Sequence, residues 1–200
     1  MSHRADHFEW SGGHPALDLV NTLDERPSVA PIEKLATYHD LVRFAGSAGL
    51  IEARLAERLL RLGGRSCSHI AKRARKIREH LHDVLAAANS GRPARQFDLE
   101  ALSAAVRAAH AAQVLVAAPS PGFATRRWSS ALAPEIPLHA CSIAIERLLV
   151  EEERKRIRKC EAPDCDVYYI DRSKGQRRQW CSMKGCGNRE KQRRWRSVTR

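Results

Sequence analysis

Residues 156–196 read RIRKCEAPDCDVYYIDRSKGQRRQWCSMKGCGNREKQRRWR, and this stretch governs how the rest of the chain is interpreted. It holds four of the six cysteines, as two C-x4-C pairs: Cys160 with Cys165, and Cys181 with Cys186. Fifteen residues separate the pairs, enough for a hairpin-sized connector. Tetrahedral Zn²⁺ takes four soft ligands from two short turns, so the spacing predicts one structural zinc per chain. The competing reading is a buried or disulfide-linked set. A reducing compartment and the basic surroundings favour metal thiolates instead.

The local sequence predicts a knuckle, a β-hairpin and a helix. Pro163 and Asp164 favour a tight turn between the first two cysteines. Val167–Ile170 is β-branched and aromatic and reads as a strand. Asp171 to Gly175 reads as the hairpin turn, with 177–180 as the returning strand. Ser182 is placed to cap a helix from Met183 to about Arg196, with Cys186 in its first turns.

The sequence Cys186-Gly187-Asn188-Arg189, with RKC-x4-C before it and WCSM just upstream, resembles the CGNR zinc-finger family. Gly13-His-Pro-Ala-Leu-Asp-Leu-Val-Asn-Thr22 is similar to the opening of the ABATE domain, which accompanies that finger in stress-induced transcription regulators. The resemblance implies a DNA-binding finger behind a domain that senses a small ligand.

Charge supports the first half of that implication. Residues 154–200 carry sixteen Lys/Arg against five Asp/Glu, whereas residues 1–153 carry nineteen against eighteen. Almost all of the net +12 therefore belongs to the cysteine module. A Zn(Cys)4 centre of about −2 offsets only part of it, and the remainder is the footprint of a polyanion partner. No run approaches the ~18 apolar residues of a membrane span. Residues 1–7 lack the apolar centre of a leader, so a cytoplasmic location is expected.

Upstream, the periodicity predicts a mainly helical domain with a small β-hairpin, making the whole an α+β arrangement: a helical domain over 1–153, then a zinc finger over 154–200. Helices are expected over 15–23, 33–45 and 51–62. A fourth carries Ile70, Ala74, Ile77, Leu81, Val84 and Ala88, and a fifth is capped by Asp98. Two strands, 113–118 and 123–128, flank a turn at Pro119–Gly122. A last helix starts near Pro137 with Cys141 on its buried stripe.

The candidate nucleic-acid contacts are Arg177, Arg178, Asn188, Arg189, Lys191, Gln192, Arg193, Arg194 and Arg196. Long cations suit phosphates, and Asn, Gln and Arg suit base edges. Asn188 and Arg189 have an equal claim as supports of the zinc fold, Arg189 by donating to thiolate sulfur. Trp10, His14, Asp18 and Asn21 are the candidate ligand contacts, with a helix cap and its solvated face as the competing reading. No catalytic motif is present: there is no HExxH, GxSxG or phosphate-binding glycine loop, and His80 and His82 point roughly 200° apart on a helix. A non-enzymatic regulator of transcription on double-stranded DNA, responding to a small effector, is thus expected. A homodimer would raise the affinity of a single finger. RNA or ribosome binding, and a zinc-stabilised protein adaptor, are the alternatives.

Overall fold

The computed structural model describes residues 8–118 and 122–198. These fall into two compact units: residues 8–34 with 148–198, and residues 35–147. The stretches 1–7, read as lacking a leader, and 119–121, in the expected turn, lie outside the described residues.

The first unit opens with helix α1, Pro15–Val20. His14 begins it by accepting the Ala16 N–H on Nδ1 at 3.1 Å, and Pro15 suits a first-turn position that needs no N–H. The helix is shorter than the 15–23 the sequence suggests, because the Thr22 hydroxyl turns back to the Leu19 carbonyl at 2.6 Å. Two-residue strands β1, Leu23–Asp24, and β2, Ile32–Glu33, then pair antiparallel.

The second unit holds α2 (Tyr38–Ser47), α3 (Ala53–Leu59), α4 (Arg65–Asn89), α5 (Gln96–Ala111), β3 (Gln113–Ala117), β4 (Ala124–Trp128) and, through Arg147, helix α6 (Ile136–Val150). Helix α2 starts later than the expected 33 because Thr37 and Asp40 form a reciprocal capping box. Asp98 is not the cap of α5. It is buried in the first turn, where it accepts from Arg95 Nε at 2.7 Å and meets His80 Nδ1 at 2.9 Å. Of the stripe read for α4, Ile70, Ala74, Leu81 and Val84 are buried, Ile77 is half-buried and Ala88 is exposed; Leu41, Phe44, Leu59, Leu102, Ile136 and Ile145 are buried with them. Cys141 is buried and its thiol is pushed up to about 12 by burial. Cys67 is buried as well, so neither presents a reactive thiolate.

After α6 the first unit resumes with a 3-10 turn, Glu152–Arg156, strand β5 (Ile157–Lys159), strand β6 (Tyr168–Ile170), a π-turn at Met183–Gly187 and helix α7 (Asn188–Val198). The hairpin of this module differs from the expected pairing. Strand β6 pairs with β5, Ile157 opposite Ile170, and not with 177–180. The knuckle between the first two cysteines is itself the hairpin's tip. Asp171 accounts for the rest: its carboxylate accepts the N–H of Ser173 at 2.8 Å and of Arg178 at 2.9 Å, which winds 172–178 into a loop. Those N–H groups are therefore unavailable to a ladder. No helix among the described residues is long and apolar enough to cross a membrane.

Candidate metal centre and basic helix

The four cysteine sulfurs converge. Cys160, Cys165, Cys181 and Cys186 place their Sγ atoms within 4.8 Å of one another, with Cys165 to Cys181 at 3.8 Å and Cys181 to Cys186 at 3.5 Å. Tetrahedral zinc with Zn–S bonds of about 2.3 Å requires sulfurs about 3.8 Å apart, so the donor set fits that ion. The first pair comes from the knuckle at the tip of β5 and β6. The second pair brackets Ser182, whose hydroxyl accepts the Gly185 N–H at 3.3 Å and starts the π-turn that carries Cys186.

Crowding drives the thiol acidities apart. Hydrogen bonds from Cys165 and Cys181 hold the Cys160 thiol well below its usual range, while donating to Cys160 raises Cys165 and Cys181. Four thiolates this close repel strongly without a cation among them, which is the electrostatic case for a metal. Around them lies a small core: Ala162 and Tyr169 are buried with the cysteines, and Val167 and Trp180 pack against it.

Several arginines are drawn into this core. Arg189 Nη2 donates to Cys186 Sγ at 3.1 Å and approaches Asp164 at 3.6 Å. Arg178 lies over the Tyr169 ring, 4.3 Å from its centroid, and its side chain donates to the carbonyls of Trp180 and Cys181. Arg193 bridges Asp164 at 3.2 Å and Glu190 at 2.5 Å. The Asn188 amide reaches the Lys184 carbonyl at 3.4 Å. Four candidate cations remain. Among the described residues, Arg177, Lys191, Arg194 and Arg196 take no ion pair, and all are exposed, as is every residue from Lys191 to Ser197. Gln192 is exposed on the same helix.

The N-terminal candidates are placed against the cysteine module. Asn21 clamps β6: its Nδ2 donates to the Tyr168 carbonyl at 2.9 Å, and its Oδ1 accepts the Tyr168 N–H at 3.0 Å. The Gly12 carbonyl accepts the Ile170 N–H at 2.8 Å, and Arg172 donates to the Gly13 carbonyl at 3.0 Å while pairing with Glu153 at 2.7 Å. That guanidinium holds the Glu153 carboxyl below its usual range. Asp18 accepts the Gly12 N–H at 2.8 Å, and burial pushes its carboxyl up to about 6. Trp10 is half-exposed with its ring edge-on to Phe8. A cleft of about 870 Å³ does open between residues 23–28 and the knuckle, but of the four candidates only Asn21 lines it. Sequence reasoning missed the clamp, since nothing local in Asn21 points to a strand 147 positions away.

Four thiolates closing a tetrahedron, with a cationic helix on the same module, define a structural zinc-finger protein. The comparisons agree: a family model described as "Putative stress-induced transcription regulator", ABATE, matches residues 13–152, and one described as CGNR zinc finger matches residues 156–197. The chain belongs to the ABATE family and carries a CGNR zinc finger. No curated protein matches it.

Proposed function

We propose that this protein is a transcription regulator whose zinc module grips duplex DNA through the exposed cations of α7 and the adjoining loop. The observation that carries this reading is the stretch Lys191–Ser197, exposed throughout, with Lys191, Arg194 and Arg196 free of ion pairs among the described residues and Arg177 joining them from the 171–178 loop. Apart from Trp195 the exposed residues 191–197 are all polar, so this stretch gains little from packing and its charge suits phosphates. The role is binding without catalysis, because four thiolates leave the metal no open position for a reactive water. Ligand sensing by the N-terminal region rests on the family resemblance and on the Asn21 clamp, through which a change at α1 would reach β6 directly. A cytoplasmic site of action and dimerisation on DNA complete the reading.

The test is a salt titration with duplex DNA. Four phosphate contacts give a slope of log affinity against log salt of about −3.6, and Lys191→Ala or Arg194→Ala should each flatten it by about 0.9. Affinity indifferent to salt and to these residues overturns the reading. One observation favours a second reading: Trp195 is 70% exposed among the cations, as a stacking platform for unpaired bases would be. Preference for single-stranded RNA, lost in Trp195→Ala, would select it.

A further inference from the structure

A second cationic site lies in the helical unit. A cleft of about 610 Å³ opens where α3 meets the end of β4. Arg54 and Arg58 line it from α3, four apart and so on one helix face. Arg126 and Arg127 line it from β4, more than sixty residues away in sequence. Glu52 is the single acidic residue on its wall. Among the described residues, Arg54, Arg58 and Arg127 take no ion pair, and Arg126 meets only His110 Nδ1, at 3.4 Å. Four arginines against one wall carboxylate leave the cleft net positive, with a mutual repulsion that Glu52 offsets only in part. A bound anion relieves that repulsion, and the planar fork of arginine matches phosphate oxygens in pairs.

The rest of the wall narrows the ligand. Trp128 is half-buried there, with the apolar side chains of Leu50, Ile51 and Leu55. A volume of this order suits a small molecule with a flat ring and a charged end. We propose that this cleft binds a phosphorylated nucleoside of about diphosphate size, its phosphates held by Arg54, Arg58 and Arg127 and its ring against Trp128. None of the residues lining it is a cysteine ligand or one proposed to meet DNA.

The test uses the full zinc-loaded chain and calorimetric titration with ADP, pyrophosphate and adenosine. ADP should bind saturably at one site per chain, pyrophosphate at least tenfold more weakly, and adenosine more weakly still. The Arg54→Ala/Arg58→Ala double variant changes only exposed side chains, so it should fold, and it should weaken ADP at least tenfold; Lys191→Ala/Arg194→Ala should leave ADP unchanged. Failure of ADP to bind at millimolar concentration overturns the proposal, as does ADP binding that follows Lys191 and Arg194. If duplex DNA displaces ADP, and Arg54→Ala/Arg58→Ala flattens the salt slope of DNA binding, the cleft is a duplex contact and the nucleotide assignment is wrong. DNA affinity measured in parallel shows separately whether the finger reading stands.

Discussion

Replacing Asn21 by Ala probes whether the N-terminal segment is a working part of the zinc finger. The side chain makes two hydrogen bonds to the backbone of Tyr168, at 2.9 and 3.0 Å, and Tyr168 is 1% exposed. Losing a bond whose partner is buried costs about 1–2 kcal/mol, so losing both should cost about 2–4 kcal/mol. Strand β6 begins three residues beyond Cys165, and a zinc module of this size owes much of its folding to the metal. The loss should therefore appear as weaker zinc binding, by roughly thirtyfold to a thousandfold. Competition against a chromophoric chelator measures it, with thermal unfolding alongside. Asn21→Asp sharpens the test: it keeps an acceptor for the Tyr168 N–H but sets a carboxylate against the Tyr168 carbonyl, and should be at least as damaging. Zinc affinity within threefold of the parent in Asn21→Ala, with unchanged melting, would refute the coupling.

Asp18 gives a pH-dependent outcome. Its folded pKa, about 6, lies above its unfolded value of 3.8, so the folded state holds a proton the unfolded state has lost. That contribution is complete below about pH 4 and is lost as pH rises through 6. Asp18→Asn, which keeps an acceptor for Gly12, should stabilise the protein by about 2–3 kcal/mol at neutral pH and by nothing near pH 3.5; parallel melting curves that never diverge would contradict this. Gly187→Ala should weaken zinc binding, because the added Cβ meets Met183 Sδ at 3.0 Å and the Trp180 ring at 3.1 Å, and the ring cannot give way as the thioether can. A cost of about 1–3 kcal/mol is expected. Cys186→Ser should abolish one-to-one zinc binding while circular dichroism retains the signal of α2 to α5; full zinc occupancy would remove Cys186 from the ligand set.

The metal site was legible because its chemistry is local. Thiolates, a knuckle turn and a capping serine sit within six residues of each other on either side, and the spacing that lets them share an ion is written in the chain. Helix α4 was legible for a similar reason, since Ile70, Ala74, Leu81 and Val84 are buried at the spacing of an apolar stripe of period 3.6; α5 was less so, because Asp98 is not its cap and Leu99 is exposed. The hairpin partner was not. Residues 157–159 and 177–180 are both short and basic, and either suits an aromatic strand by propensity. The choice falls to Asp171, whose two hydrogen bonds to backbone N–H groups remove 172–178 from the ladder. One side chain thus decides a pairing that no periodicity encodes.

The same limit applies to charge. A count over 154–200 finds a large surplus of cations and treats each as equivalent. In the folded module the carboxylates are not spread evenly among them: Asp164 takes Arg189 and Arg193, Glu190 takes Arg193 again, and Asp171 fixes the loop backbone near Arg178. Arg178 itself is held by Tyr169 and two carbonyls. The arginines nearest the sulfurs are thereby consumed in holding the finger together, and the surplus is displaced outward to Arg177 and to Lys191, Arg194 and Arg196 on α7. Sequence could give the magnitude of the surplus but not its position, because position depends on which carboxylate each guanidinium reaches once the metal has drawn the two cysteine pairs together. A polyanion approaching this module would meet a cationic surface sorted by its own internal ion pairs.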